Sequence, residues 1–192
     1  MISTEGFEKI EVANLEDLRT WLAANHTRED SVWLVRFKKV VPAKFIDRLD
    51  LLDELLCYGW IDGIARKLDD GRTMQLISPR KQQAWAQSYK DRVARLEAQG
   101  RMHSAGRAAI ARAKELGLWD AYAAVDALAV PDDLRSALDT DRNAAAFFDA
   151  AAPSYRRNVL RWVSQAKTPV TRAKRVAITV DRSAKREKVP QM

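Results

Sequence analysis

A helix that stops at a glycine and runs straight into a hairpin constrains this chain more than any other stretch. Asp47 stands where an N-cap belongs, Leu51, Leu52, Leu55 and Leu56 form an apolar stripe, and Gly59 follows the last turn. A residue without Cβ adopts the left-handed conformation there at no steric cost, so the chain can reverse through Trp60. Residues 61–68 and 73–77 are then predicted to pair across Asp69-Asp70-Gly71-Arg72, a strong turn signal. The first half must therefore combine helix with antiparallel strand.

Upstream, residues 8–12 and 31–38 read as strands, and both faces of the second are mostly apolar, which suits a central strand. Between them Leu15, Leu18, Trp21 and Leu22 recur at helical spacing behind Asn14, a suitable N-cap, giving β-α-β. After Pro79 the pattern is helical. Trp85, Tyr89, Val93 and Leu96 mark a helix ending at Gly100, and Ala105, Ala109, Ile110, Ala113 and Leu116 mark another ending at Gly117. Further helices are expected over 131–138, 144–151, 154–166 and 169–184, the last with Thr168 as N-cap and Pro169 at the first position. Tyr155, Val159, Trp162, Val163 and Ala166 should face inward, as should Val170, Ala173, Val176, Ala177 and Val180. The tail, 185–192, is polar and basic and is expected to fray. The expected fold is α+β, with a small, mostly antiparallel sheet and helices in the N-terminal half and a helical C-terminal half packed onto it. The boundary falls within 124–131, giving an α+β domain over 1–124 and a basic helical module over 125–192.

A hydrophobic fraction of 47% and a charged fraction of 31% are ordinary for a chain that folds. No apolar run approaches the roughly 20 residues that cross a bilayer, and residues 1–12 hold no signal-peptide core, so membrane insertion is not expected and cytoplasm is the default compartment. The lone Cys57 lies on the apolar side of its helix and reads as a small buried hydrophobe. His26 and His103 lie far apart with no ligand spacing, and no metal site is assigned. Asp69-Asp70 or Asp139 with Asp141 could supply carboxylates to a hard cation, but turn chemistry accounts for the first pair. The seven glycines do not cluster as a phosphate loop needs. Ser78, Ser88, Ser104 and Ser154 lack the Gly-flanked elbow of a serine nucleophile. No catalytic residue and no cofactor is assigned.

Charge is concentrated at one end. Residues 153–192 hold eleven Lys/Arg against Asp181 and Glu187, a net of +9, whereas the preceding 152 residues hold 22 bases and 24 acids, a net of −2. Arg157 and Arg161 share a helix face one turn apart, and Arg172, Arg175 and Arg182 lie largely on the outside of the next helix. Two antiparallel helices could merge them into a positive patch for phosphates, with binding that falls steeply with salt. No zinc finger, aromatic RNA platform or helix-turn-helix signature accompanies it, and a solvated face or an acidic protein partner explains the same residues.

The blocks Leu52 to Gly63, Ser78-Pro79-Arg80-Lys81 with Trp85, Gly100-Arg101-Met102 and Ala105-Gly106 resemble the YdeI/OmpD-associated family. Pro153-Ser154-Tyr155-Arg156-Arg157, Leu160-Arg161-Trp162 and the run from Ala166 to Ala173 are similar to its C-terminal helical module. The resemblance spans about residues 31 to 180. It implies a bacterial stress or bacteriocin-protection protein, associated by name with an outer-membrane porin, and no established reaction. Asp47 and Asp50 replace the usual Ser/Thr-x-x-Glu helix start, and Gln82, Gln83 and Ala84 replace the usual polar residues after Pro79-Arg80. The candidate ligand-binding residues are Trp60, Asp62, Arg80, Lys81 and Trp85. Asp62 and Arg80 could pair and frame a cleft walled by a tryptophan, or both tryptophans could be core anchors with the ion pair tying hairpin to helix. The expected function is non-catalytic binding of a small ligand or an acidic protein partner. Nucleic-acid binding through the C-terminal arginines, or an enzyme of unrecognised type at Asp62 and Arg80, are the alternatives.

Overall fold

The computed structural model describes residues 6–190; residues 1–5, where a signal peptide would begin, and 191–192, at the end of the basic tail, lie outside the described residues. The chain divides into two compact units between Asp120 and Ala121. The first holds β1 (Lys9–Glu11), α1 (Leu15–Asn25), β2 (Val32–Phe37), a 3-10 turn (Pro42–Lys44), α2 (Arg48–Cys57), β3 (Trp60–Lys67), β4 (Arg72–Pro79), α3 (Gln87–Ala98) and α4 (Ser104–Glu115). The strand order is β1-β2-β4-β3. Because α1 carries the chain across between β1 and β2, that pair is parallel, while β4 runs antiparallel to both β2 and β3. The architecture is α+β as expected, and its sheet is mixed rather than purely antiparallel. The two-faced apolar strand, β2, lies inside the sheet.

Local chemistry sets the helix ends. Asn14 accepts from the Asp17 amide at 2.9 Å and the Asp17 carboxylate reaches back to the Ala13 amide at 2.9 Å, while Asp47 accepts from the Leu49 amide at 2.7 Å. At the other end of α2, Gly59 turns the chain with φ +75°. The last carbonyls find donors outside the helix: Cys57 accepts from the His103 amide at 3.0 Å, and Gly59 from the Arg80 amide at 2.8 Å.

Helix α2 belongs to two cores at once. Leu51 and Leu55 pack with Leu18 and Leu22 of α1 against Val32, Leu34, Ile77 and Trp60 of the sheet. Leu52, Leu56 and Cys57 pack with Trp85, Val93, Leu96, Met102 and Ala113. The line between these faces carries two acids that the sequence places simply along a helix, yet Asp53 is 4% and Glu54 2% exposed. Glu54 accepts from Arg19 of α1 at 2.8 Å and from Arg101 at 2.7 Å. Asp53 accepts from Arg92 at 2.7 Å and Arg95 at 2.6 Å, both on α3. Four guanidiniums thus compensate two buried carboxylates, which without partners would cost several kcal/mol each. Close packing also fixes Gly106, where a Cβ would stand 2.2 Å from the Cys57 carbonyl oxygen.

The second unit is helical among the described residues: α5 (Ala123–Asp126), α6 (Asp132–Leu138), α7 (Arg142–Ala150), α8 (Pro153–Ser164) and α9 (Pro169–Ala184). Leu134, Leu138, Phe148, Tyr155, Val159, Leu160, Val163 and Val176 form its core. Two expectations are corrected here. Of the stripe assigned inward on α9, Val176 is buried, but Val170, Ala173 and Ala177 are exposed and Val180 is half-buried. The helix buries Val176, Thr179 and Ser183 instead. The Thr179 hydroxyl is satisfied by the Arg175 carbonyl at 2.9 Å, which lets a polar residue go inside. The tail is also held rather than frayed: Arg186 turns it with φ +57°, Val189 is 5% exposed, and the Val189 amide donates to the Tyr155 hydroxyl at 3.1 Å.

Two outcomes follow for the first unit. Gly106→Ala should cost about 1–3 kcal/mol in urea unfolding, because α4 must move off the end of α2; an unchanged midpoint would contradict the close approach. Burial works against ionisation of Asp53, but the hydrogen bonds from Arg95 and Arg92 outweigh it and hold its carboxyl below the ordinary range. A carboxyl depressed in the native state stabilises fully above its unfolded pKa of about 3.9 and loses that contribution as pH falls through the native value. Stability should therefore fall steeply below about pH 4. Asp53→Asn should flatten that limb while lowering stability at neutral pH, as read by urea titrations across pH.

Candidate functional site

The hairpin places the candidate residues by pairing. Trp60 stands opposite Pro79 and Asp62 opposite Ile77, so both side chains lie on the sheet face that carries Val32, Leu34 and Arg36. The register shifts between Asp62 and Ala65, so Gly63 and Ile64 form a bulge, and the Gly63 carbonyl accepts from the Gln75 side chain. Gly63 therefore serves the sheet. Upstream of the bulge, Asp62 is aimed at the start of α2 and at α3.

Asp62 and Arg80 do not pair directly. One Asp62 oxygen accepts from the Tyr89 hydroxyl at 3.2 Å, and the other lies 3.5 Å from Nη2 of Arg48, the first residue of α2. Arg80, 7% exposed, lays its guanidinium over the Trp85 ring at 3.8 Å and over the Tyr89 ring at 4.9 Å. Its Nη2 donates to the Ala84 carbonyl at 3.3 Å, while Nε and Nη1 have no partner. Tyr89 joins the two groups, offering its hydroxyl to the carboxylate and its face to the guanidinium.

The electrostatics are cationic. Burial pulls the Arg80 guanidinium down to about 10, against the opposing pull of Tyr89 and Asp62, so it stays charged at neutral pH. Arg36, on the same face, is also lowered by burial and then by the charge of Arg48, and its Nε has no partner. Burial and the Asp62 carboxylate raise the Tyr89 phenol, which keeps it a proton donor. Three arginines thus gather around Asp62, with Asp47 the other acid that Arg36 senses.

The remaining candidates fall elsewhere. Lys81 is exposed and reaches Glu29 at 3.2 Å. Trp60 is fully buried, meets Trp21 edge-on at 5.4 Å and leaves its indole nitrogen without a partner. Trp85, 1% exposed, is both a core side chain and the platform under Arg80. Tyr89, Arg48 and Arg36 escape a reading by periodicity, since Tyr89 sits in an apolar stripe and Arg48 at a helix start. The available signal was Arg36, the only charge in an otherwise apolar central strand.

The basic residues of the second unit do not form one free patch. Arg172 grips Asp133 with two hydrogen bonds of 2.6 and 2.8 Å, Arg182 pairs with Glu187, and Arg175 donates to the Trp162 carbonyl. Arg161 lies over Tyr122 at 4.8 Å, and Arg157 is half-buried on α8. Among the described residues no group of three or more His, Cys, Asp or Glu is placed to hold a metal ion, and no helix is long and apolar enough to cross a membrane.

Arg80→Met should change stability by no more than about 1 kcal/mol, because an apolar chain of similar length removes two buried, unpartnered nitrogens while giving up the contacts over Trp85 and Tyr89 and the long hydrogen bond to the Ala84 carbonyl. Urea unfolding reads this; a loss above about 2 kcal/mol would make Arg80 a structural residue.

A family model described as a domain of unknown function (DUF8412) matches residues 10–109, just over half the chain. A model described as Bacteriocin-protection, YdeI or OmpD-Associated matches residues 127–186. No curated protein and no solved structure matches the chain. The expected resemblance is thus matched in the helical unit, and the blocks around Gly59 and Arg80 fall within the match to the first family.

Proposed function

The chain belongs to the DUF8412 family of domains of unknown function and carries a YdeI/OmpD-associated segment over residues 127–186; from that premise we propose a bacteriocin-protection protein that acts by binding a small oxyanion at Arg80. The second match is to a family described by bacteriocin protection, which supports the biological role. The binding mode rests on one observation: Arg80 is buried on Trp85 with Nε and Nη1 unpartnered. A buried guanidinium in that state carries a desolvation cost that a carboxylate or phosphate group would offset with charge-assisted hydrogen bonds. Arg36 and Arg48 add positive potential, and Asp62 holds Tyr89 in place beside the site. The segment from Lys81 to Ala84, without helix or strand, closes on Arg80 through the Ala84 carbonyl, and its opening admits the ligand. Binding rather than nucleophilic chemistry suits the surroundings, since burial and then Glu54 push the nearby Cys57 thiol up to about 11.

Inorganic phosphate and acetate, titrated against chloride at matched ionic strength, provide the test, with tryptophan emission as the readout because Trp85 underlies Arg80. The expected result is a saturable change with one of the two oxyanions and not with chloride. In Arg80→Met, with its circular dichroism unchanged, affinity should fall about 10- to 100-fold. Equal responses from chloride and both oxyanions, or an undiminished response in Arg80→Met, would contradict the proposal.

A further inference from the structure

Helix α9 carries a second apolar seam that its own unit leaves open over Val170, Ala173 and Ala177 and covers in part at Val180 and Ala184. Val170, Ala173, Ala177, Val180 and Ala184 recur at alternating steps of three and four, the spacing that keeps side chains on one line facing another helix. Val170 is 80% exposed, Ala173 and Ala177 are exposed, and Val180 and Ala184 are half-buried. From Ala173 onward the seam forms one wall of a groove of about 930 Å³, with Ala137 and Thr140 on the opposite wall. At about 1.5 Å per residue it runs for roughly 21 Å. Its outer edge carries two exposed charges seven residues apart, Lys174 and Asp181; among the described residues the latter pairs along its own helix, with Lys185 at 2.7 Å.

We propose that this face joins two copies of the chain, antiparallel along α9 about a two-fold axis. In an antiparallel pair the same edge of each helix meets its reversed counterpart, so Lys174 of one copy lies against Asp181 of the other, and the reverse holds at the far end. Both ion pairs form together. A charge pattern that complements its own reversed copy is what a self-matching two-fold contact requires, and it selects a second copy over a foreign helix. Alanine at the middle of the seam lets the helix axes approach closely, and the exposed Val170 and half-buried Val180 gain burial.

Sedimentation velocity of the full chain across concentration tests the proposal. The wild type should form a concentration-dependent dimer. Ala177→Glu, at an exposed position that the fold tolerates, should abolish it by setting like charges together near the axis. Lys174→Glu and Asp181→Lys should each weaken dimerisation about tenfold, and the double exchange should restore it. A monomer at every concentration overturns the proposal and leaves the groove to a foreign partner or to none. A dimer indifferent to Ala177→Glu places the contact elsewhere and also overturns it, as does a double exchange no tighter than the single ones. Should Ala177→Glu fail to fold by circular dichroism, the charge-exchange set decides alone.

Discussion

Two buried carboxylates on one helix organise the first unit. Asp53 and Glu54 sit between the two apolar faces of α2, and each is held by arginines arriving from different elements: Arg19 from α1, Arg92 and Arg95 from α3, and Arg101 beyond α3. Removing one carboxylate leaves several guanidiniums facing each other, and removing an arginine leaves a charge without its full set of donors. The network is polar and directional, so it specifies how α1, α2 and α3 meet in a way that leucine packing alone does not. A single position of α2 then follows, and with it the position of everything attached to its ends.

The candidate site is attached to those ends. Arg48 at the start of α2 approaches Asp62, and Gly59 just past its end accepts the Arg80 amide. The helix therefore fixes both the carboxylate end of the cluster and the backbone from which the buried guanidinium springs. Charges inside the unit are treated in two contrasting ways. Around Asp53 and Glu54 the donors and acceptors are matched; at Arg80, and at Nε of Arg36, they are not. That contrast between a buried set so fully satisfied and one left short is what the oxyanion proposal rests on.

Sequence made the architecture legible wherever a local rule decides. Asn14, Asp47 and Gly59 act as the caps and the stop their chemistry suggests, Asp69-Asp70-Gly71-Arg72 turns the hairpin, and β2 lies centrally because both its faces are apolar. What escaped depends on contacts far apart in the chain. Asp53 and Glu54 look like ordinary helix acids until Arg92, Arg95 and Arg101 are brought beside them. Asp62, Arg80 and Trp85 stand out together in the sequence, yet Asp62 and Arg80 are joined through Tyr89, whose helical spacing marks it only as apolar, and Trp60 goes to a different core. On α9, apolar residues line more than one face, and periodicity has no means of choosing between Val176 with Thr179 and Val170 with Ala177. Nothing local marks the tail as ordered, because Val189, isolated among charges, is held by its amide on the distant Tyr155 hydroxyl.

The central claim is that Arg80 is kept charged, buried and short of partners for an oxyanion. Crystals of the protein grown free of oxyanions and then with phosphate or acetate test it at the atoms concerned. The account predicts an anion within hydrogen-bond distance of Arg80 Nε or Nη1, with the segment from Lys81 to Ala84 displaced to admit it. Ordered water occupying those donors in both crystals, with no anion near Arg80 at saturating concentration, would contradict it.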